Sequence, residues 1–306
     1  MTNPLLSIIV PSFNQGRFLA RTLDSILQQD YRPLEVIVAD GASKDETVDV
    51  LRDYASRYPE LRWLSEPDKG PADAVNKGLA LAKGEIAAIQ SSDDIYYPGA
   101  FAPVMDIFRS NPDCGFVIGH YRGIDTEDRV LYTEQLPEFS WPAYFGLALC
   151  IPQSSIFFRM SVAREAGGWN GKYFACDVDY WLRILLRTRA RRIDQVLSGW
   201  RLYAGARTHS GQQRKVFDGF WQMIEDHSAE LRRAGLWRLA RASRHIVAMR
   251  FPPSRNRWVV RWHLLLGTLL HPTWWRYQRT ADLLGFLPGF HTSRRMLRWL
   301  RAQPAR

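Results

Sequence analysis

Residues 6–14 read LSIIVPSFN, and residues 34–43 read LEVIVADGAS. Each opens on a short run rich in Leu, Ile and Val and then turns polar. Such runs predict fully buried strands at Leu6 to Pro11 and Leu34 to Ala39. Between them Phe18, Leu19, Leu23, Ile26 and Leu27 recur at helical spacing. Strand, amphipathic helix and strand make a βαβ unit, which sets the two strands parallel.

The alternation continues outward. Thr47 to Tyr58 reads as a helix, with Val48, Leu51 and Ala55 on one face. Arg62 to Leu64 is a short strand, Ala72 to Ala82 a helix and Glu85 to Gln90 a strand. Gly99 to Arg109 is helical and stops before Asn111-Pro112. This predicts an α/β fold with a mostly parallel sheet flanked by helices. Residues 115–160 are less regular, with short strands expected at Gly115 to His120, Arg129 to Tyr132 and Ser155 to Phe158. A helix at Val178 to Leu186 and a strand at Ile193 to Leu197 follow. Everything past Gly211 reads as helical, divided by Pro252-Pro253. The expected division is a domain over residues 1–211 and a helical region over 212–306.

Composition bounds the function. The 306 residues are 46% apolar and 24% charged, which predicts a packed core rather than disorder. The most apolar run, Val259 to Leu270, is interrupted by Arg261 and His263, so no spanning helix is expected. No basic segment leads into a long apolar one at the start, so no signal peptide is expected either. Cys114, Cys150 and Cys176 are odd in number and far apart, which fits a reducing, cytoplasmic setting and no zinc site.

Charge is unevenly placed. The net charge is +10, yet residues 232–306 hold 16 Arg against the single acid Asp282, a net of +15. Residues 1–231 hold 25 basic and 30 acidic residues, a net of −5. The basic stretch also holds Trp237, Trp258, Trp262, Trp274, Trp275 and Trp299. Arg interleaved with Trp and Leu suits an anionic membrane surface. A helical subdomain with a solvated basic face is the plain alternative. Nucleic-acid binding would use the same charges, but the acidic N-terminal body speaks against it, and no nucleic-acid partner is expected.

In open α/β sheets ligands bind beyond the carboxyl ends of the strands. Here those ends carry Pro11, Ser12, Phe13 and Asn14, then Asp40, Gly41 and Ser43, then Asp93 and Asp94. Adjacent carboxylates repel unless a cation or water intervenes, and hard divalent ions bridge carboxylates to diphosphates. An exposed acidic turn is the plain alternative. No G-x-G-x-x-G follows the first strand, and no P-loop, H-E-x-x-H or G-x-S-x-G is present, so dinucleotide, phosphotransferase, zinc-protease and hydrolase readings are poor.

Several segments in order resemble the family 2 glycosyltransferases: SIIVPSFN at 7–14, VIVADGAS at 36–43, SEPDKGPAD at 65–73, NKG at 76–78, QSSDD at 90–94, AGGWN at 166–170 and DVDYWLR at 177–183. The resemblance covers about residues 5–210 and implies a GT-A fold, Rossmann-like, with inverting sugar transfer from a nucleotide-sugar. It lays nucleotide contacts on Pro11, Phe13, Asn14, Asp40, Ser43, Asp73, Lys77 and Asp93. Asp73 and Lys77, one helical turn apart, could equally be a surface ion pair. It lays the metal ligand for Mg2+ or Mn2+ on Asp94 and the general base on Asp177. Asp177 also sits where a helix N-cap would. Near Trp200-Arg201 the family commonly has His two residues after the Arg; here Tyr203 stands there and His209 is the nearest His. Arg201 and His209 are thus weaker candidates for diphosphate or acceptor. The implied partners are a nucleotide-sugar and a lipid-linked or growing glycan, at the inner face of the cell membrane. A non-catalytic nucleotide-sugar or glycan binder on the same fold is the rival reading.

Overall fold

The computed structural model describes residues 3–146, 151–206, 213–249, 251–254 and 256–277. In chain order come β1 (Leu6–Ser12), α1 (Gly16–Leu27), β2 (Leu34–Asp40), α2 (Thr47–Arg57), β3 (Leu61–Ser65), α3 (Pro71–Leu81) and β4 (Ile86–Ile89). Then follow β5 (Ile95–Tyr96), α4 (Phe101–Ser110), β6 (Cys114–Ile124), β7 (Val130–Glu134), α5 (Trp141–Gly146), β8 (Ile156–Arg159) and α6 (Met160–Ala166). The remainder is α7 (Cys176–Leu185), β9 (Arg189–Arg201), α8 (Gln213–Asp226), α9 (Ser228–Arg233), α10 (Trp237–Ile246) and α11 (Arg257–Leu270).

The strands form one sheet in the order β3-β2-β1-β4-β8-β6-β9-β5, with β7 on β6. From β3 to β4 neighbours are parallel. Beyond β4 the sheet is mixed: β8 is antiparallel to β4 and β6, β9 is parallel to β6, and β5 is antiparallel to β9. The parallel half follows from strands buried on both faces. Leu6, Ile8 and Val10 join Val36, Val38 and Ala88 in one core with Leu19 and Leu23 of α1 and Phe101 and Val104 of α4. Ile9, Ile37 and Ile89 are buried on the other face, where α3 lies over β1 with Gly78 directly against Ile9. Truncating a fully buried Leu such as Leu23 would cost about 2–5 kcal/mol.

The chain divides into two compact units. One comprises residues 1–136, 152–172 and 176–201; the other comprises 137–151, 173–175 and 202–306. In this division the last stretch of the second unit begins at Leu202. Residues 137–151 join the second unit because α5 brings an aromatic group (Phe139, Trp141, Tyr144, Phe145) into it, and His271 Nε2 meets the Pro142 carbonyl at 2.8 Å.

In the second unit Ala240, Ala242 and Ile246 of α10 are buried. A Cβ on Gly267 of α11 would lie 3.0 Å from Ile246, so glycine lets the two helices close together. His245 and His263 face each other across that seam, Nδ1 to Nδ1 at 3.0 Å. Arg244 pairs with Glu225 and lies 3.8 Å over the Trp221 ring. Arg238 donates to the Leu270 carbonyl at 2.9 Å, a cation at the end of α11 where free carbonyls gather. No described helix is long and apolar enough to cross a membrane.

Candidate active site

The parallel half places three loops side by side, because β1 lies between β2 and β4. The loop after β1 and the loop after β2 are knitted through one hydroxyl. Ser43 Oγ accepts from the Asn14 amide at 2.7 Å and donates to Asp40 Oδ1. Asp40 Oδ2 accepts from the Ser43 amide at 3.0 Å and from the Ser65 hydroxyl at 2.6 Å. Asn14 Oδ1 accepts the Lys44 amide at 2.9 Å, and the Gly41 amide donates to the Ser12 carbonyl at 2.9 Å. Asn14 and Ala42 hold positive φ, 52° and 62°, so these turns are tightly specified. Asp40, one of the expected nucleotide contacts, is buried, and its carboxylate carries the loop hydrogen bonds.

Above these loops Phe13 is 58% exposed, large for an aromatic ring. Pro11 is half-buried. Gly41 sits between Phe13 and Asp68: a Cβ there would lie 2.6 Å from Asp68 Oδ2 and 3.1 Å from Phe13 Cδ2. A ring and a carboxylate therefore border one narrow strip of backbone. Asp68 was not singled out by sequence, although it stands within the SEPDKGPAD segment. Its other oxygen accepts the Gly70 amide at 2.7 Å, which fixes the turn into α3.

Asp73 and Lys77 form the ion pair that their spacing allows, at 3.5 Å. Lys77 Nζ is closer to Glu66, at 2.9 Å, and also donates to the Pro67 carbonyl. The Glu66 hydrogen bond, aided by the charge of Asp73, raises the Lys77 pKa, so its ammonium stays charged.

The turn after β4 separates its two acids. Asp94 is buried, and its Oδ1 accepts the Arg201 amide at 2.8 Å. Burial, with the charge of Asp93 beside it, raises the Asp94 pKa well above its ordinary value, opposed in part by Arg201. Thr22 Oγ lies within 3.0 Å of the Ser92 and Asp94 carbonyls and holds the turn from α1. Asp93 is half-buried. Asp94, expected as the metal ligand, is thus turned into the fold, and Asp93 is the acid that keeps surface at the strand ends. Among the described residues no three His, Cys, Asp or Glu side chains cluster for a metal.

Arg201, a candidate for the diphosphate, has 0% of its side chain exposed. Its guanidinium donates to the Asp93 carbonyl at 2.6 Å and the Asp125 carbonyl at 2.7 Å, and pairs with Asp128 at 2.5 Å. It lies 4.8 Å over the Phe18 ring. So enclosed, the side chain ties the end of β9 to the turn after β4. His209 lies outside the described residues.

Asp177 is the second residue of α7, half-buried in its first turn, where free amides and the helix dipole favour a carboxylate. Asp179 is buried and pairs with Arg183 at 2.7 Å. Arg183 also donates to the Ala166 and Gly168 carbonyls, so it fastens the loop that precedes α7. From the other side Asn76 of α3 donates to the Trp169 carbonyl at 2.9 Å and accepts the Trp169 amide at 2.7 Å. Sequence reading quoted both segments without connecting them.

Known proteins resemble this chain in sequence and fold. The family model for glycosyl transferase family 2 matches residues 7–164, more than half of the chain. A chondroitin synthase of Escherichia coli is 30% identical over 185 residues, 59% of this chain and 26% of that protein. The chain spans 52% of the length of each of two further curated relatives. Among solved structures, S. aureus TarS residues 1–349 in complex with UDP-GlcNAc gives a TM-score of 0.62 at 15% identity, covering 90% of this chain and 93% of that one. The mannosyltransferase PcManGT from Pyrobaculum calidifontis in complex with GDP-Man and Mn2+ gives 0.64 at 20% identity, covering 99% and 86%. These structures share the GT-A fold with the chain. With the family pattern running from β1 into α6, this chain belongs to glycosyl transferase family 2.

Proposed function

We propose that the chain transfers a sugar from a nucleotide-sugar to an acceptor hydroxyl, with inversion at the anomeric carbon. The observation that carries this reading is the set of groups after β1, β2 and β4: the exposed Phe13 ring, the knitted loops and the Asp93 carboxylate, all at the strand ends. The ring stacks on the base. Asp68 meets the base edge beside it, and Asp40 and Ser43 act by holding the loop. Two similar structures hold UDP-GlcNAc and GDP-Man, which supports a nucleoside diphosphate donor. Lys77, with Asp73 one turn away, exchanges Glu66 for phosphate oxygens.

A divalent ion, Mg2+ or Mn2+, fits this donor set, since such ions take one or two carboxylates plus diphosphate oxygens. Asp93 would hold it, in place of the buried Asp94. When bound, it supplies counter-charge to the diphosphate leaving group. The acceptor oxygen forms its bond to the anomeric carbon as the sugar–phosphate bond breaks. The bonding pair leaves with the diphosphate, and the acceptor proton passes to the Asp177 carboxylate. The acceptor is a lipid-linked or growing glycan, and the enzyme works at the inner, anionic face of the membrane, a reading supported by the Arg- and Trp-rich second unit.

The test pairs binding with turnover. Calorimetric titration with UDP, GDP, dTDP and CMP, each with and without Mn2+, should show one nucleotide binding, more tightly with the metal. Asp177→Asn should keep that binding and lose transfer by roughly 100-fold or more. Full turnover by the variant removes Asp177 as base; no nucleotide binding by the folded protein removes the function.

A further inference from the structure

Helix α11 carries two unlike faces. Toward α10 it presents Gly267 and His263, which meet Ile246 and His245. Away from α10 it presents Trp258 (74% exposed), Trp262 (60%), Leu265 (49%) and Leu269 (62%). Steps of four, three and four residues keep these four side chains within about 60° of arc, opposite Gly267, at 3.6 residues per turn. Just past the helix Trp275 is also exposed, while Trp274 is buried and donates to Thr268 Oγ at 2.8 Å. An outward apolar stripe this large needs an occupant.

The charge around the stripe names one. Residues 232–281 contain eleven Arg and no Asp or Glu. Arg261 lies 5.1 Å over the Trp258 ring and Arg276 lies 5.6 Å over the Trp275 ring, so indole and guanidinium alternate along the exposed side. A second copy of this chain would bring two cationic stretches together around a shared apolar seam, and residues 232–281 hold no acid to compensate. Nucleic acid would neutralise the Arg and stack on the Trp, but it would leave Leu265 and Leu269 without an apolar partner. A bilayer with anionic headgroups satisfies every part: acyl chains for Leu, the interface for Trp, phosphates for Arg.

We infer that the outward face of α11 (Trp258, Trp262, Leu265 and Leu269) lies in the interface of an anionic lipid bilayer, with Arg261 and Arg276 at headgroup level. The inference narrows the membrane reading made above to one helix face and does not depend on sugar transfer.

Flotation of the full chain tests it. Vesicles of phosphatidylcholine with phosphatidylglycerol should carry the protein up, and vesicles of phosphatidylcholine alone should carry much less. Trp258→Ser with Trp262→Ser changes only exposed side chains. It should lower partitioning by roughly tenfold or more while leaving the melting temperature and nucleotide titration as they were. Leu265→Ser with Leu269→Ser should weaken it in the same direction. Equal flotation by wild type and both double variants overturns the proposal, because the anchor then lies elsewhere, residues 278–306 included. A wild-type dimer that the variants convert to monomer assigns the stripe to a second copy, and salt-sensitive DNA binding that they abolish assigns it to nucleic acid; either also overturns it. Failure of nucleotide binding with normal flotation strikes only the transferase reading.

Discussion

The side-chain amide of Asn76 and the backbone of Trp169 exchange two hydrogen bonds, at 2.9 and 2.7 Å, across 93 residues of sequence. One amide thereby satisfies both polar groups of a loop residue, and it joins α3 to the segment leading into α7. Asn76→Asp keeps the acceptor for the Trp169 amide but sets a carboxylate oxygen against the Trp169 carbonyl. Asn76→Ala removes both bonds. Each change should cost about 1–3 kcal/mol and open the 166–172 loop to limited proteolysis. Transfer should fall more than nucleotide affinity. Unchanged proteolysis and turnover would show that the clamp has no bearing on the loop.

The two acids after β4 should separate cleanly. Asp93→Ala should abolish the Mn2+-dependent part of nucleotide binding. Asp94→Asn keeps an oxygen for the Arg201 amide. It should leave both fold and metal-dependent binding close to wild type. Titration of each variant with and without Mn2+ decides; the reverse pattern returns the metal to Asp94.

Arg201→Ala should act on stability and not on ligand affinity. It strips a fully enclosed cation from Asp128 and leaves the Asp93 and Asp125 carbonyls without their donor. Each buried carbonyl left without its donor costs about 1–3 kcal/mol, and the pair adds less because Asp128 is 35% exposed. Urea unfolding should show a lowered midpoint, and the fraction still folded should bind nucleotide normally. A stable variant with weakened diphosphate binding would restore Arg201 to the site.

The second unit should weaken in acid. Burial first, then His263, Arg244 and Arg241, lower the His245 pKa to about 4, and burial lowers that of His263 as well. Both are lowered in the folded state, so the unfolded chain takes up protons first as the pH falls. Stability is complete above the ordinary histidine pKa near 6.5 and is lost as the pH falls from there through about 4. Melting temperatures between about pH 7.5 and 5 should decline in the wild type and decline less in His245→Gln. Parallel declines would place the acid sensitivity elsewhere.

How much of this was legible follows from the range of each interaction. β1, β2 and β4 are plain in the sequence because they are buried on both faces and are apolar at most positions. β9 was read only as Ile193 to Leu197, although it runs from Arg189 to Arg201, because Arg189, Arg191 and Arg192 mask the strand in one-dimensional pattern. β5 is two residues long and carries no period at all. At the site the acids were visible by type and place, but Asp93 and Asp94 are identical neighbours in sequence. Only the amide of Arg201, 107 residues away, tells them apart. Asp68 escaped because its relevance depends on the missing side chain of Gly41, a relation that exists only once β2 and the turn before α3 have come together.

The hydroxyl of Ser43 joins the Asn14 amide to the Asp40 carboxylate, and Asp40 extends that link to Ser65. Three connections are therefore immobilised by folding, before any nucleotide arrives. The entropy of ordering them is lost once, in reaching the native state, and not again in each encounter. Nucleotides that differ in base should then find this surface at similar association rates and differ in how long they stay. Under the proposed function, the selectivity of the donor site would then be set by residence time.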